Sequence, residues 1–273
     1  MNSNFFKAAA IQMCSCSAVQ DNLAQAESLL KKASEEGAVL VVLPEMFPTL
    51  AVENGHIQAR EKIGSGPIQD FLSRMAKQYQ LWIVGGTIPI MSDETDRIYA
   101  ACLIYNSEGE CVGRYDKIHL FDACLEIGKE EYCESKKTIH GKHPLVIETP
   151  WGKLGIAVCY DIRFPELFIE LDKQGAHMLA IPAAFVKTTG TAHWEILCRA
   201  RAIEHLSYVI AANQTGKHCN GRCSFGHSMI INPWGEIVAE EKENIGIALA
   251  EIDLSFLHES RKKLPVHQHR KLI

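Results

Sequence analysis

The sequence predicts an α/β protein in which two β-sheets pack face to face and helices cover both outer faces. Strand-like apolar runs alternate with amphipathic helical segments along most of the chain, which is the order of a layered α/β fold. Glycine-containing turns join some of the strands into antiparallel hairpins, so the sheets are not purely parallel. About a dozen strands are predicted, which is more than one flat sheet comfortably holds, and we therefore expect two sheets.

In the N-terminal half, continuous apolar runs predict strands, and apolar residues repeated at helical spacing predict helices. The first helix ends at Gly37, and the second begins at Pro67, a residue favoured at the first helical position. The predicted elements are, in order, a strand at 5–13, a helix at 22–36, a strand at 38–43, a helix at 67–80, a strand at 81–89 and a hairpin of 98–106 with 110–115.

The C-terminal half continues the alternation after a long, poorly periodic segment at 116–143. Segments of this length are typical of functional or disordered loops. A second polar loop is predicted at 214–226. The predicted elements are a hairpin of 145–149 with 153–159, a helix at 165–174, a strand at 177–182, a helix at 193–205, a strand at 207–213, a hairpin of 226–232 with 236–241, a strand at 246–252 and a short basic helix before the tail.

Length and composition indicate a single globular domain. The chain has 273 residues, of which 47% are hydrophobic and 22% are charged, and this composition is ordinary for a globular protein with a sizeable core. No shift in composition, flexible linker or internal repeat marks a boundary inside the chain. We therefore expect one domain over residues 1–273.

Charge and cysteine content narrow the class of protein. The formal net charge is -5, so nothing indicates a nucleic-acid-binding surface. No run approaches the roughly 18 to 20 apolar residues that a membrane span requires, and the first residues lack the basic region of a signal peptide. Ten cysteines, several of them inside predicted strands or helices, suit reduced thiols in a cytoplasmic protein better than a disulfide framework.

The segment from Gly152 to Phe168 is the most informative part of the chain. An apolar run ends at Cys159, a polar cluster follows, and Pro165 opens an amphipathic segment. This order predicts a strand, a sharp turn and a helix with a thiol at the corner, where backbone N–H groups and a helix N-terminus stabilise a thiolate and an oxyanion. A buried structural cysteine fits the local pattern equally well.

Two charged residues stand at the ends of other predicted strands. Glu45 follows Pro44 after the strand at 38–43, where a carboxylate suits general acid–base catalysis or simply caps the strand end. Lys117 follows the strand at 110–115, where an ammonium suits the neutralisation of an oxyanion, although a lone lysine is usually a solvated surface residue. A thiol needs a base, an oxyanion partner and a pocket before it becomes a nucleophile, so the three residues have to be interpreted together.

In order and spacing, Leu-Pro-Glu45, Lys117-Ile-His-Leu and Val-Cys159-Tyr-Asp resemble the Glu–Lys–Cys motifs of the nitrilase (carbon–nitrogen hydrolase) superfamily. The similarity extends from about residue 7 to the C-terminal tail. Further stretches, such as Cys-Tyr-Asp-Ile-Arg-Phe-Pro-Glu-Leu and Gly-His-Ser-Met-Ile-Ile-Asn-Pro-Trp-Gly, resemble the Nit amidase branch. The tail Leu-Pro-Val-His-Gln-His-Arg is similar to the deaminated glutathione amidase subgroup more than to its ω-amidase relatives.

The resemblance implies a four-layer α/β/β/α sandwich and a thiol amidase that uses no cofactor and no metal. Cys159 would be the nucleophile, and Lys117 and the backbone N–H of Tyr160 would hold the oxyanion. Glu45 would take the thiol proton, pass it to the leaving ammonia and then activate water. Glu134 best matches the second glutamate of the family. The alternatives for this second glutamate are three other acidic residues of the same loop, Glu126, Glu130 and Glu131.

The resemblance also implies a substrate class and three substrate contacts. Arg163 is expected to grip a carboxylate, or else to pair with Asp161 or Glu166. Phe185 and Thr189 match positions that line the pocket in the Nit amidases, although core packing and a turn are alternative roles. We expect hydrolysis of a small anionic ω-amide to carboxylate and ammonia, with deaminated glutathione as the foremost substrate and 2-oxoglutaramate as the alternative.

Other functions stay open at this point. A catalytically silent binding protein would keep the fold and lack a reactive Cys159. A Cys–His peptidase would need a histidine oriented on that thiol, and His119 is the nearest candidate. A zinc site is disfavoured, because the spacing is irregular among its candidate ligands, His218, Cys219, Cys223 and His227.

The expected partners follow from the same resemblance. A small-molecule amide is expected, and neither nucleic acid nor membrane. Members of the superfamily dimerise by stacking their sandwiches, often with the C-terminal tail crossing to the partner. We therefore expect a homodimer or a higher homo-oligomer in which residues 254–273 form a tail that packs on the partner.

Overall fold

The computed structural model describes residues 4–50, 55–126 and 130–272. Its strands are β1 (Phe5–Gln12), β2 (Ala38–Val42), β3 (Trp82–Val84), β4 (Ile88–Met91), β5 (Ile98–Tyr105), β6 (Cys111–Asp116), β7 (Asp122–Glu126), β8 (Glu130–Cys133), β9 (Leu145–Thr149), β10 (Gly152–Ile156), β11 (Met178–Ala183), β12 (Tyr208–Asn213), β13 (Thr215–Lys217), β14 (Cys223–Phe225), β15 (Ser228–Ile231), β16 (Ile237–Glu241) and β17 (Gly246–Asp253).

Seven α-helices and two short 3₁₀ segments connect the strands within these ranges. The 3₁₀ segments are Glu134–Lys136 and Cys159–Arg163. None of the helices in the described ranges combines the length and the apolar character that crossing a bilayer requires. The helices are α1 (Val19–Glu35), α2 (Gly55–Gln58), α3 (Pro67–Tyr79), α4 (Pro165–Lys173), α5 (Lys187–His205), α6 (Leu254–Lys263) and α7 (Val266–His269).

Two mixed β-sheets form the centre of the molecule. The first sheet has the strand order β17–β1–β2–β3–β5–β4, and β6 also pairs with β5. The second sheet has the order β16–β15–β12–β11–β10–β9. Strands β1, β2 and β3 run parallel in the first sheet, and β10, β11 and β12 run parallel in the second. The predicted hairpins are antiparallel pairs at the sheet edges, β5–β6, β9–β10 and β15–β16.

Side chains of β1 show how the layers are stacked. Successive side chains of a strand point to opposite faces, and here both faces are buried. Ala8 and Ala10 belong to the core between the two sheets, and Ala9 and Ile11 belong to a second core beneath α1 and α3. The first core also takes in Trp194 of α5, on the far side of the second sheet. The predicted four-layer α/β/β/α sandwich is therefore confirmed.

One predicted strand is wrong, because the apolar run at 81–89 forms two strands, β3 and β4. Gly86 separates them with a φ of +58°, which lies in the left-handed region that favours glycine. A Cβ atom at Gly86 would lie 2.1 Å from the carbonyl oxygen of Pro44. The chain therefore turns at the point where it passes the end of β2.

The helix predicted at 193–205 begins earlier than expected, at Lys187. Its added first turns carry Gly190, where a Cβ atom would lie 2.4 Å from the side chain of Phe225. The close approach of α5 to β14 thus depends on a tertiary contact that helical periodicity does not report. The two predicted loops at 116–143 and 214–226 likewise contain small hairpins, β7–β8 and β13–β14.

The C-terminal tail is tied to α4 of the same chain. His267 Nδ1 lies 2.8 Å from Asp172 Oδ1, and Arg270 Nη1 lies 2.9 Å from Asp172 Oδ2. Burial works to raise the pKa of Asp172, but the neighbouring imidazoles of His205 and His267 outweigh it and lower that pKa. Asp172 therefore anchors the tail as a carboxylate.

Candidate active site

Cys159 lies at a sharp corner between the end of β10 and the start of α4. Its φ angle is +47°, a left-handed conformation that costs a non-glycine residue about 1–3 kcal/mol and persists only where the surroundings impose it. The thiol is buried, with 8% of the residue exposed. Tyr160, the predicted oxyanion donor, follows directly in the same 3₁₀ segment. The predicted order of strand, turn and helix is present.

Asp161 holds this corner in place. Its carboxylate is fully buried and accepts hydrogen bonds from Val158 N (2.8 Å) and from His119 N (2.9 Å). The Tyr115 hydroxyl donates a third hydrogen bond to it at 2.7 Å. Asp161 therefore fixes the corner to β6 and to the segment that follows β6.

Glu45 follows β2 and reaches across from the first sheet to the second. Its Oε1 lies 2.7 Å from Lys117 Nζ, and its Oε2 accepts a hydrogen bond from Ala184 N at 2.9 Å. Glu45 and Cys159 line the same cavity. The carboxylate thus contacts the ammonium and the end of β11, on the wall of the cavity that the thiol also lines.

Glu134 contacts Lys117 from the other side. Lys117 Nζ donates to Glu134 Oε2 at 2.8 Å, and the same oxygen accepts from Phe121 N at 2.7 Å. Within the described part of the chain, Glu134 Oε1 is buried and has no hydrogen-bond partner. The structure therefore brings Glu134 to the three other predicted residues and leaves one of its oxygens available to a bound molecule.

The alternatives for the second glutamate lie elsewhere. Glu130 accepts hydrogen bonds from the hydroxyls of Tyr132 (3.0 Å) and Thr188 (2.8 Å). The backbone carbonyl of Glu131 accepts from Arg222 Nη2 at 3.4 Å. The side chain of Glu126 lies outside the described residues. Among the acidic residues that the structure describes in this loop, Glu134 is the one joined to Lys117.

Burial and neighbouring charges set the protonation of the site. Burial works to lower the pKa of Lys117, but the charges of Glu134 and Glu45 outweigh it and raise that pKa well above its ordinary value. Burial, and then the charge of Glu45, raise the pKa of the Cys159 thiol, against the opposing charge of Lys117. Burial also raises the pKa of Glu134. These shifts favour an ammonium on Lys117 and a neutral thiol on Cys159.

A cavity of about 500 Å³ opens onto these four residues. Its volume lies in the range of roughly 300–1,000 Å³ that is usual for small-molecule sites. Glu45, Lys117, Glu134 and Cys159 all line it. Residues of the hairpins β7–β8 and β13–β14, which the sequence placed in long loops, line it as well.

The three predicted substrate contacts are not among the residues that line this cavity. The guanidinium carbon of Arg163 lies 5.3 Å from the ring centroid of Phe185 and 5.8 Å from that of Tyr160. Phe185 is buried against Trp194, with ring centroids 5.0 Å apart. Thr189 lies in the first turn of α5. Arg163 and Phe185 thus form a cluster with Tyr160, the residue after Cys159.

The nearest candidate for a histidine base is engaged elsewhere. The ring of His119 stacks on Phe164 with centroids 3.7 Å apart, and its Nδ1 lies 2.7 Å from Asp161 Oδ1. Glu45, unlike His119, lines the same cavity as Cys159. The geometry therefore favours a carboxylate base over the Cys–His arrangement.

Sequence reasoning missed the cavity roles of His218 and Arg222. His218 Nδ1 lies 2.9 Å from the carbonyl oxygen of Ser15, which only accepts, so this nitrogen carries the hydrogen. His218 Nε2 therefore accepts from the Ser224 hydroxyl at 2.8 Å. Burial lowers the pKa of His218 and favours this neutral form. The available signal was the position of the polar loop after β12, since sites of α/β proteins lie beyond the carboxyl ends of parallel strands.

The cysteines and histidines of this loop do not form a metal site. Across residues 4–50, 55–126 and 130–272, no group of three or more His, Cys, Asp or Glu side chains is placed to hold a metal ion. His218 is instead used in the hydrogen bonds to Ser15 and Ser224. All ten cysteines of the chain are free thiols.

Comparison with known proteins identifies the family. The carbon–nitrogen hydrolase family model matches residues 7–262. This chain belongs to the carbon–nitrogen hydrolase family. The deaminated glutathione amidase of Yersinia enterocolitica is 40% identical over 266 residues, which cover 97% of this chain and 93% of that protein. The human deaminated glutathione amidase is 41% identical over 268 residues, which cover 96% of this chain and 81% of that protein.

A solved structure gives the same result for the fold of this carbon–nitrogen hydrolase. Saccharomyces cerevisiae Nit3, a member of branch 10 of the nitrilase superfamily, superimposes with a TM-score of 0.89 at 31% identity. The match covers 99% of this chain and 98% of that one. The resemblance to the Nit branch is confirmed, and the protein is a hydrolase that acts on amides.

Proposed function

We propose that this carbon–nitrogen hydrolase is a thiol amidase that cleaves deaminated glutathione through a thioester on Cys159. One observation carries the proposal. The ammonium of Lys117 contacts the carboxylates of Glu45 and Glu134 on the wall of the cavity that Cys159 also lines. The relatives named deaminated glutathione amidase support the choice of substrate.

The first half of the reaction forms the thioester. Because burial and Glu45 keep the Cys159 thiol protonated, Glu45 takes its proton as the sulfur attacks the amide carbonyl carbon. The negative charge on the carbonyl oxygen is held by Lys117 Nζ and by the backbone N–H of Tyr160. Each such donor is typically worth about 100- to 1,000-fold in rate. Glu45 then gives the proton to the leaving amine as the C–N bond breaks.

The second half releases the acid. Water enters the place that the amine has left, Glu45 takes one of its protons, and the hydroxide oxygen attacks the thioester carbonyl. The C–S bond breaks, and the Cys159 sulfur regains a proton from Glu45. Glu134 acts as a positioning residue in both halves, because its Oε2 holds the Lys117 ammonium.

The identity of the leaving amine depends on the substrate. An unsubstituted ω-amide such as 2-oxoglutaramate releases the ammonia expected from the sequence. In deaminated glutathione the amide nitrogen belongs to a cysteinylglycine unit, so the amine released is that dipeptide. Both substrates leave the same 2-oxoglutaryl group on Cys159, and deacylation is therefore common to them.

The test of this function uses both substrates. We expect 2-oxoglutarate and cysteinylglycine to form from deaminated glutathione, measured by liquid chromatography with mass spectrometry, at a higher kcat/KM than for 2-oxoglutaramate. The Cys159→Ala variant should be inactive. In the Glu45→Gln variant a trapped acyl group should be visible by intact mass. Failure of the wild-type enzyme to cleave either amide would contradict the proposal and favour a silent binding protein.

We further infer a homodimer that uses an apolar patch next to α5. Ile196 and Ile203 of α5 are 68% and 46% exposed, and Trp234 is 54% exposed in the turn between β15 and β16. The residue after this Trp, Gly235, accepts a hydrogen bond from Arg199 of α5, so the patch is continuous. We expect Ile196→Glu to shift the mass measured by light scattering towards the monomer. The control Ile63→Glu, at a position that is 46% exposed, should not shift it.

We also propose a role for the C-terminal tail and a location in the cell. Residues 254–273 are proposed to extend the partner contact beyond the anchor at Asp172. A cytoplasmic location is proposed because ten free thiols suit a reducing compartment.

A further inference from the structure

Arg222 spans the mouth of the cavity between the two small hairpins. Its guanidinium carbon lies 4.6 Å from the ring centroid of Tyr132 in β8, which is a cation–π distance. Its Nη2 lies 3.4 Å from the carbonyl oxygen of Glu131. Arg222 and Tyr132 both line the cavity that contains Cys159. A cationic fork is therefore held at the opening of the candidate active site.

The backbone at the tip of the β13–β14 hairpin holds Arg222 in position. His218 N donates to Arg222 O at 2.8 Å, and Gly221 N donates to His218 O at 2.9 Å. Arg222 N donates to the side-chain oxygen of Asn220 at 3.1 Å. The side chain therefore projects from a turn whose conformation is fixed before any ligand binds.

The guanidinium of Arg222 retains donors for a ligand. A guanidinium offers five N–H donors in a planar fork, and among the described residues one acceptor, the Glu131 carbonyl, engages the guanidinium of Arg222. In the part of the chain that the structure describes, no carboxylate forms an ion pair with Arg222. A carboxylate of the substrate would find a fork of the geometry that bidentate pairing needs.

The position of Arg222 fits one particular carboxylate of the proposed substrate. Tyr132, on which Arg222 stacks, precedes Glu134 by two residues, which places it roughly 7 Å along the chain from the catalytic wall. The cysteinylglycine unit of deaminated glutathione spans roughly 7 Å from the reacting amide to its terminal carboxylate when extended. A 2-oxoglutaramate molecule has no group beyond the amide nitrogen and cannot make this contact from the same pose.

We propose that Arg222 is a specificity-determining residue that binds the terminal carboxylate of the cysteinylglycine leaving group. This inference rests on the proposed function, because it assigns the leaving-group end of the same cavity. Bound in this way, the scissile carbonyl is directed at Cys159 and the dipeptide lies along the hairpins β7–β8 and β13–β14. The enzyme would then distinguish a peptide-like amide from a primary amide by its leaving group.

The test compares Arg222→Gln with wild type on three substrates: deaminated glutathione, its analogue with a C-terminal carboxamide, and 2-oxoglutaramate. We expect kcat/KM for deaminated glutathione to fall about 10- to 100-fold, mainly through KM. Wild type and Arg222→Gln should cleave the carboxamide analogue with the same kcat/KM, close to that of Arg222→Gln on deaminated glutathione. The pairing of arginine with carboxylate is absent in all three of these combinations. The loss should be confined to the substrate that carries the distal carboxylate.

Two further variants separate recognition from structural support. Arg114→Gln is the matched control, because Arg114 also stacks on a tyrosine, at 5.2 Å from the Tyr99 ring, and does not line the cavity. It should keep the wild-type preference. Arg222→Lys keeps the charge and loses the fork, so it should fall between wild type and Arg222→Gln.

The outcomes distinguish the inference from the function on which it rests. An equal loss on all three substrates would show that Arg222 supports the cavity or holds the acyl end, and would overturn the inference. An unchanged preference for deaminated glutathione in Arg222→Gln would overturn it too. Failure of the proposed function is instead seen in the wild-type enzyme, as an absence of deaminated glutathione cleavage.

Discussion

Lys117 Nζ lies 2.7 Å from Glu45 Oε1, although 72 positions separate the two residues in the sequence. Each residue follows a strand of the first sheet, Glu45 after β2 and Lys117 after β6, and both side chains are almost completely buried. Glu134 lies on the other side of Lys117, so that one ammonium contacts two carboxylates. Buried charges of this kind depend on their partners, because removing one partner leaves an uncompensated charge.

Replacement of Lys117 should therefore affect both stability and catalysis. We expect Lys117→Met to lower the free energy of unfolding by about 3–5 kcal/mol, measured by urea denaturation, because two carboxylates then face each other without a cation. Adding Glu134→Gln should restore part of this stability, since one of the two charges is removed. Amidase activity should stay low in both variants. Equal stabilities of the single and double variants would contradict this electrostatic account.

Replacement of Glu45 should make the Cys159 thiol more reactive towards alkylation and make the enzyme slower in amide hydrolysis. The charge of Glu45 helps to raise the pKa of the Cys159 thiol, whereas Lys117 lowers it. Removing the carboxylate in Glu45→Gln should therefore lower this pKa, so that alkylation by iodoacetamide at neutral pH becomes faster while amide hydrolysis becomes slower.

The measurement is the alkylation rate of the Cys159 peptide across pH, followed by mass spectrometry because the chain has ten cysteines. The midpoint should move to lower pH in Glu45→Gln than in the wild type. Cys198, a buried thiol on α5, serves as an internal control in the same digest. A midpoint that moves upwards would mean that Glu45 does not act on the thiol through its charge.

Much of the fold could be predicted from the sequence, because its signals are local. Apolar runs and helical spacing gave the order of strands and helices, and the corner at Cys159 was visible in the change from apolar to polar residues. The motifs around Glu45, Lys117 and Cys159 gave the family. Strand ends meet at one edge of a sheet, which is why residues far apart in sequence could be expected together.

The parts that could not be predicted depend on contacts between distant segments. Gly86 divides an apolar run because Pro44 passes close to it, and no periodicity records that approach. Arg222 reaches the cavity because it stacks on Tyr132, on another hairpin. Polar loops carry no hydrophobic pattern, so the sequence indicated their polarity and not the partners of their side chains.

Gly86 offers a test of how the turn after β3 positions Glu45. We expect Gly86→Ala to lower the free energy of unfolding by about 2 kcal/mol or more, because the left-handed φ and the collision with Pro44 O act together. It should also lower kcat/KM, since Pro44 precedes Glu45, the proposed catalytic carboxylate. Gly64→Ala is the matched control, with a φ of +80° and no atom within 4 Å of the new Cβ. Gly64→Ala should lower the free energy of unfolding by about 1 kcal/mol and leave kcat/KM unchanged.

His177 should make the fold sensitive to acid. Burial, and then the charges of Arg261, His258 and Lys153, lower the pKa of His177 to about 4, against about 6.5 for an unperturbed histidine. Its Nδ1 accepts a hydrogen bond from Lys153 N at 3.2 Å, which a proton on that nitrogen would abolish. Between pH 6.5 and pH 4 the unfolded chain therefore binds a proton that the folded chain does not, and stability falls as the pH falls.

We expect the stability of His177→Gln relative to wild type to improve as the pH is lowered from 6.5 to about 4, because the variant has no imidazole to protonate at this position. The measurement is urea denaturation of both proteins at several pH values across this window. His269→Gln makes the same substitution at an exposed position of the tail and is the control for losing a histidine elsewhere. A difference between His177→Gln and wild type that stays constant with pH would show that the imidazole is not held neutral by its surroundings.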